Sequence, residues 1–191
     1  MNFLIVTGLS GAGKSMAVNA LEDIGFFCID NIPAGLLPRI LDFAQQGENQ
    51  LSRVAVVMDI RGLHSVQETN EALEALDEKK MPYDILFLDA SDAATRRRYK
   101  ETRRVHPMTI SEGIPVSEAI TKERQILQPL RERAKYVIDT SLLSTAQNRE
   151  RVSSLFLQKG QCAMSINVVS FGFKYGIPED EAQKLMRDTD K

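Results

Sequence analysis

Residues 8–15 have types and a spacing that suit phosphate chemistry. They match the pattern G-x-x-x-x-G-K-[ST], in which glycines let successive backbone N–H groups converge on phosphate oxygens. The lysine of this pattern reaches the β- and γ-phosphates of a nucleoside triphosphate, and the following serine hydroxyl binds Mg²⁺. We therefore predict a phosphate-binding loop that consists of Gly8, Leu9, Ser10, Gly11, Ala12, Gly13, Lys14 and Ser15.

Such a loop also needs a carboxylate for magnesium, and three aspartates at predicted strand ends compete for that role. Asp59 follows the apolar run 54–58 and most resembles the acid that orients Mg²⁺ or its waters. Asp30 ends the second predicted strand and is a candidate catalytic base or substrate contact, while Asp89 ends the fourth. The alternative for each is a capping role at a strand-to-helix turn. We predict that Ser15 and Asp59 bind the metal.

Residues 96–104 form a cationic segment with six Lys or Arg residues and one glutamate, in a chain whose net charge is −2. Three interpretations remain open. The segment is a solvated helix face, or it contacts an RNA backbone, or its last two cations, Arg103 and Arg104, are lid residues that clamp a transferred phosphoryl group. The overall negative charge argues against a generally basic nucleic-acid-binding surface.

The elements that must position these residues alternate regularly. Apolar runs predict five strands, at residues 2–7, 26–29, 53–58, 83–88 and 136–138, and helical periodicity follows each of them. This order requires right-handed crossovers and a doubly wound parallel sheet, an α/β fold of the kinase-like P-loop NTPase type. Residues 105–116, which contain two prolines and a glycine, are predicted to form a loop.

The amino-acid composition of the chain changes after Gly160. We predict a nucleotide-binding domain at residues 1–160 and a remnant of a second domain at 161–191, with one strand at 165–175 and a charged tail. That strand lacks a later partner, and an unpaired apolar edge tends to recruit another chain. We therefore expect either a homo-oligomer or docking of this strand on the first domain.

Composition excludes several classes of protein. With 191 residues, 43% hydrophobic and 26% charged, the chain is typical of a globular domain and unlike a disordered or collagen-like one. No apolar run approaches the roughly 18 residues that cross a bilayer, and no basic leader is present, so we expect a cytoplasmic protein. Cys28 and Cys162 belong to no metal-binding pattern and are predicted to be buried thiols.

Several further motifs follow the loop in order. They are DNIP at 30–33, LLP at 36–38, DIR at 59–61, RYKETRR at 98–104 with HP at 106–107, and SFGFKYG at 170–176. Together with the loop, these motifs resemble the bacterial RapZ/YvcJ family of nucleotide-binding proteins. The resemblance covers about residues 1 to 178 and implies a kinase-like P-loop domain that binds and slowly hydrolyses ATP and GTP.

The same resemblance implies roles for particular segments. It makes residues 8–15 the ATP loop and assigns GTP to the segment Asp59, Ile60, Arg61 and Gly62. Members close to RapZ present a small regulatory RNA to an RNase and sense an amino-sugar phosphate through a C-terminal domain. Only residues 179–191 follow the region of resemblance, so we expect RNA and RNase partners to be engaged weakly.

Three functions compete on these residues. We favour a Mg²⁺-dependent NTPase that uses Lys14, Ser15 and Asp59, with Asp30 as a candidate base. A small-molecule kinase is the second hypothesis, in which Asp30 accepts the proton of a substrate hydroxyl and the arginine-rich segment forms the lid. The third is a non-enzymatic RNA or protein adapter that responds to nucleotide as a conformational ligand.

Overall fold

The fold is built on a parallel sheet whose centre is the first strand of the chain. The computed structural model describes residues 2–46, 52–63, 65–78, 80 and 82–157. Within them the sheet has the order β2-β3-β1-β4-β5, and every pairing is parallel. Its strands are β1 (Asn2–Gly8), β2 (Phe27–Ile29), β3 (Arg53–Val57), β4 (Asp84–Asp89) and β5 (Tyr136–Asp139).

Helices connect the strands and cover both faces of the sheet. They are α1 (Lys14–Asp23), α2 (Leu37–Gln46), α3 (Val66–Glu78), α4 (Asp92–Thr102), α5 (Pro107–Glu112), α6 (Val116–Arg133) and α7 (Thr145–Phe156), with two 3₁₀ turns at Ala34–Leu36 and Ile60–Gly62. Helix α1 packs against α7, and α3 packs against α6. None of the helices among the described residues has the length and apolar character of a membrane span. The predicted doubly wound parallel α/β sheet is confirmed.

The topology brings two strand ends together. Strand β1 leads through α1 to β2 on one side of the sheet, whereas β3 leads through α3 to β4 on the other side of β1. The carboxyl ends of β1 and β3 therefore flank the point where the winding reverses, which is where open α/β sheets bind ligands. Both strands read as continuous apolar runs because they are buried on both faces.

The prediction of a loop at 105–116 is wrong, because α5 lies within it. His106 precedes the helix, and its Nδ1 accepts a hydrogen bond from the Met108 backbone N–H at 3.2 Å. Pro107 occupies the first turn, and Gly113 ends the helix with a φ of 71°. Proline at the start and glycine at the end are the residues that a short helix prefers, and the sequence analysis interpreted both as loop formers.

The expectation for the two cysteines is met only in part. Cys28 is half-buried, and burial, followed by the charges of Glu22 and Asp30, raises its pKa to about 11. The thiol is therefore neutral near pH 7 and a poor nucleophile. Cys162 lies outside the described residues, as do the predicted strand and tail after Gly160, so the division into two domains stays a prediction.

Gly8, where β1 passes into the loop, leaves no room for a side chain. Its φ is 138°, and a Cβ atom there would lie 2.1 Å from the backbone oxygen of Leu88 on β4. We expect Gly8→Ala to lower the free energy of unfolding by about 3 kcal/mol or more, measured by urea denaturation.

Gly25→Ala is the matched control for this prediction. Gly25 also has a positive φ, 87°, but a Cβ atom there would meet nothing within 4 Å. The control should lose only about 1 kcal/mol, the cost of backbone strain. Equal losses in the two variants would mean that the contact with Leu88 contributes nothing.

Candidate functional site

The carboxyl ends of the central strands open into a cavity of about 880 Å³. This volume lies within the range of small-molecule sites. The walls are the loop after β1, the turn after β3, the second half of α4 with the segment 104–107, and the connection from β5 into α7. Of the predicted loop, Ser10 to Ser15 line the cavity, while Gly8 and Leu9 are buried behind it.

Three backbone carbonyl oxygens of the loop accept hydrogen bonds from side chains. Arg98 donates from its guanidinium to the Gly11 carbonyl oxygen at 3.0 Å and also contacts both the hydroxyl and the carbonyl oxygen of Thr140. The Thr140 hydroxyl donates to the Ala12 carbonyl oxygen at 2.9 Å. The side-chain amide of Asn148 donates to the Gly13 carbonyl oxygen at 3.3 Å. These three side chains hold the loop from outside.

Several loop N–H groups have no hydrogen-bond partner in the part of the chain that the structure describes. The backbone N–H groups of Gly11 and Gly13 make no hydrogen bond among the described residues. Gly13 precedes α1 without a side-chain cap, so the N–H groups of Lys14 and Ser15 in the first turn also lack an intrahelical partner. Donors that converge at a helix N-terminus favour an anion. The loop therefore has the geometry of a phosphate site.

Lys14 and Asp59 face each other across this loop. The Lys14 ammonium donates to the Gly8 carbonyl oxygen at 2.7 Å and lies 3.6 Å from Asp59 Oδ1. Asp59 also accepts from the Ile60 backbone N–H at 2.7 Å, and its side chain is 18% exposed. Lys14 thus lines the cavity with its ammonium held on loop carbonyls, and the neighbouring carboxylate offsets its charge.

Magnesium fits the oxygen donors present. Ser15 and Asp59 both line the cavity and offer a hydroxyl and a carboxylate, the hard ligands that Mg²⁺ prefers. Within the described part of the chain, no group of three or more His, Cys, Asp and Glu residues could hold a metal by itself. This suits Mg²⁺, which usually keeps several waters and relies on phosphate oxygens for further ligands.

The segment 59–62, which the resemblance assigns to GTP, contains two residues that line the cavity and two that do not. Asp59 and Arg61 line the cavity, with Arg61 Nε 3.8 Å from Asp59 Oδ2. Ile60 is buried in the core, and a Cβ atom on Gly62 would lie 3.2 Å from the Cα of Pro33. Two of the four residues therefore face the candidate nucleotide site, and the other two hold the turn in place.

The rival aspartates lie elsewhere. Asp30 ends the edge strand β2, is exposed, accepts from the Asn31 backbone N–H at 2.7 Å and is not among the residues that line the cavity. Asp89 forms ion pairs with Arg124 at 2.8 Å and Arg131 at 3.1 Å. Both carboxylates therefore act as local caps or ion-pair partners in this structure.

The cationic segment 96–104 does not act as a unit. Helix α4 ends at Thr102 instead of continuing to Arg104, because Arg103 adopts a left-handed conformation with a φ of 51°. Arg104 lines the cavity and Arg103 does not. Arg97 also lines it, and its Nε lies 3.8 Å from Glu101, so its pairing is loose. Two exposed guanidinium groups therefore border the phosphate-binding loop.

Arg98 is the cation that the sequence analysis failed to distinguish. We expect Arg98→Ala to weaken nucleotide binding about tenfold, because charge-assisted hydrogen bonds to the Gly11 carbonyl oxygen and to Thr140 are lost. Fluorescent-nucleotide titration measures the effect. Arg96→Ala, which removes an exposed cation from the same helix, should bind as the wild type does. Equal weakening in both variants would indicate a general charge effect.

Glu123 is a second residue that the sequence analysis missed. Its carboxylate is fully buried and accepts from the backbone N–H of Ser10, at 3.0 and 3.1 Å, and from the Ser10 hydroxyl at 2.6 Å. A signal existed, since Glu123 lies three residues after Ile120 and four before Leu127 on the apolar stripe of α6. A charged residue on a buried stripe needs a partner.

The remaining missed residues follow strand β5. Thr140 comes directly after the strand and is 2% exposed, and Asn148 lies in the first turns of α7. Thr140 was detectable, because polar residues at the carboxyl ends of parallel strands lie at the ligand edge of the sheet. Asn148 gave no comparable signal, because a single helical asparagine is common.

This fold and this loop define the chain as a member of the P-loop NTPase class of folds. Similar solved structures are the tunicamycin resistance protein of Deinococcus radiodurans, shikimate kinase of Bacteroides thetaiotaomicron, and the YorR protein of Bacillus subtilis in complex with phosphorylated GDP. Their TM-scores are 0.53, 0.50 and 0.51, at 14%, 16% and 12% identity. The matches cover 81%, 80% and 80% of this chain and 95%, 95% and 94% of theirs. At such identities the likeness concerns the fold alone.

The chain belongs to the RapZ-like N-terminal domain family, which matches residues 1–160. A nucleotide-binding protein of Moorella thermoacetica is 49% identical over 181 residues, or 93% of this chain and 59% of the relative. Another from Alkaliphilus oremlandii is 44% identical over 181 residues, or 94% of this chain and 62% of the relative. The chain thus spans about three-fifths of the length of these curated relatives. The resemblance to this family is confirmed.

Proposed function

We propose that this chain binds ATP and GTP with Mg²⁺ and hydrolyses them slowly. The observation that carries the proposal is the set of N–H groups of Gly11, Gly13, Lys14 and Ser15, which have no partner among the described residues, with the Lys14, Ser15 and Asp59 side chains around them. The name that the curated relatives carry, nucleotide-binding protein, supports the same class of ligand.

Each residue of the site has a proposed role. The loop N–H groups bind the phosphate oxygens, and Lys14 leaves its loop carbonyls to contact the β- and γ-phosphates. Ser15 and Asp59 would hold Mg²⁺, which when bound neutralises charge on the phosphate oxygens. Among the residues that the structure describes, the acidic ones that line the cavity are Asp59 and Glu101. Few described groups are therefore available to activate water, which is consistent with slow turnover.

ATP and GTP should be used comparably. The sequence contains no N-K-x-D motif of the kind that reads guanine. Two cavity-lining residues of the segment assigned to GTP by family resemblance, Asp59 and Arg61, adjoin the same loop that is assigned to ATP. We therefore propose that both nucleotides compete for one phosphate site.

Titration of both nucleotides against the purified protein tests the proposal. We expect both to bind with dissociation constants within about tenfold of each other. Phosphate release should occur slowly in Mg²⁺ and stop in EDTA, and each nucleotide should displace the other. A folded protein that binds neither nucleotide would contradict the proposal.

A small-molecule kinase is the second candidate. It is favoured by Arg97 and Arg104, which border the cavity where lid arginines would meet a transferred phosphoryl group. In this candidate Asp30 accepts the proton of the acceptor hydroxyl, which requires the acceptor to extend from the cavity to the end of β2. Incubation with γ-labelled ATP and a panel of hydroxyl acceptors distinguishes kinase from hydrolase by the product that carries the label.

Three further expectations concern location, self-association and macromolecular partners, not the candidate nucleotide site. A cytoplasmic location and homo-oligomer formation stay proposals from the sequence, and weak contact with regulatory RNA and an RNase stays a proposal by family resemblance. RNA affinity measured over a range of salt concentrations tests the third, since contacts with phosphate backbones weaken steeply as salt increases.

A further inference from the structure

A buried ionisable pair lies behind the phosphate-binding loop. Glu123 on α6 and His106 at the start of α5 are both fully buried, and His106 Nε2 lies 3.0 Å from Glu123 Oε2. The same carboxylate accepts from the backbone and the hydroxyl of Ser10. Neither side chain is among the residues that line the cavity, so the proposed chemistry makes no direct use of them.

Hydrogen bonds define the protonation states of the pair. The Met108 backbone N–H donates to His106 Nδ1, so this nitrogen carries no proton and Nε2 is the donor toward Glu123. Glu123 accepts from three donors and donates to none of them, which is the pattern of a carboxylate. An anion therefore lies directly behind the loop, and its lone pairs are satisfied.

Burial of a charge needs a compensating set of donors, and here the loop supplies two of the three. Ser10 turns its N–H toward Glu123 and away from the cavity, while the next residue, Gly11, keeps its N–H without a partner among the described residues. Loss of the carboxylate would free Ser10 and let the loop rotate its N–H groups.

The pair also joins two walls of the cavity. His106 lies between Val105 and Pro107, which line the cavity together with Arg104. Its bond to Glu123 ties this arginine-bearing segment to Ser10 in the loop. This carboxylate therefore links the two walls directly.

We propose that Glu123 and His106 are positioning residues. Glu123 holds the loop N–H donors in the arrangement that stabilises the transition state, and His106 couples that arrangement to the segment 104–107. The inference rests on the proposed nucleotide hydrolysis. Preorganised donors matter most where charge develops, so their loss should affect the chemical step more than ground-state binding.

Glu123→Gln is the decisive variant, because it keeps the shape and removes the charge. We expect kcat, normalised to the number of nucleotide sites, to fall about tenfold while KM changes by less than about threefold. Glu118→Gln, an exposed change on the same helix, should leave both constants unchanged. A Glu123→Gln protein with wild-type kcat per site and only a lower Tm would overturn the proposal.

Hydrogen exchange separates failure of this inference from failure of the proposed function. In Glu123→Gln, we expect faster exchange in two peptides together, residues 8–15 and 104–112, with little change elsewhere. This readout needs no nucleotide, so it applies even if the wild type hydrolyses none. Unchanged exchange in both peptides would contradict the coupling.

Two milder variants test the positioning role of Glu123 and His106 if Glu123→Gln does not fold. Ser10→Ala removes the hydroxyl bond and keeps the backbone bond, and His106→Asn keeps a residue that caps helices well but is too short to reach Glu123. Each single variant should reduce kcat per site by less than about tenfold. The fold reduction in kcat of the double variant should be smaller than the product of the two single reductions, because both side chains act through the Glu123 carboxylate. Independent, multiplicative losses would overturn the coupling.

Discussion

Replacement of Lys14 by alanine is expected to lower nucleotide hydrolysis by about a hundredfold or more and to weaken nucleotide binding to a smaller extent. The ammonium lies 2.7 Å from the Gly8 carbonyl oxygen and 3.6 Å from Asp59, at the centre of the loop. In the proposed function it counters charge that grows at the transferred phosphoryl group, so we expect its loss to affect the transition state more than the ground state. Single-turnover phosphate release measures the loss.

Lys100→Ala is the matched control for Lys14→Ala. Lys100 is an exposed cation on α4 and does not line the cavity, so its removal should leave turnover unchanged. Circular dichroism must verify that both variants are folded. A folded Lys14→Ala protein with the wild-type rate would show that residues 8–15 are not the phosphate site.

Asp59→Asn is the second change with a large expected effect. We expect turnover to fall by about tenfold or more and the Mg²⁺ concentration for half-maximal activity to rise, because an amide is a weaker magnesium ligand than a carboxylate. Titration of Mg²⁺ at saturating ATP measures both quantities. The two changes should appear together, since one side chain produces both.

Asp30→Asn distinguishes the rival aspartates. The structure puts Asp30 at the end of an edge strand, away from the cavity lining, so we expect hydrolysis close to that of the wild type. If Asp30 is instead a base, turnover will fall with little change in the Mg²⁺ requirement. Equal and metal-independent losses in Asp59→Asn and Asp30→Asn would mean that both residues are structural caps.

The features that can be predicted from the sequence are those whose determinants lie close together in the chain. The loop at 8–15 is one contiguous segment, so its glycines, lysine and serine are readable as a pattern with the strand before it and the helix after it. Asp59 was readable for a similar reason, because a carboxylate after a buried strand lies at the ligand edge of a parallel sheet. The helix at Pro107–Glu112 was predicted to be a loop, because proline and glycine are common in loops as well as at the ends of helices.

What the sequence by itself determined about this protein was thus its α/β alternation, the position of its candidate phosphate-binding loop and its family. Only the tertiary structure decided which side chains support that loop. Ser10 and Glu123 are 113 positions apart, Gly11 and Arg98 are 87 apart, and Ala12 and Thr140 are 128 apart. Periodicity and motif spacing report neighbours within a turn or a strand, whereas these contacts exist because parallel crossovers bring distant strand ends and helices to one edge of the sheet.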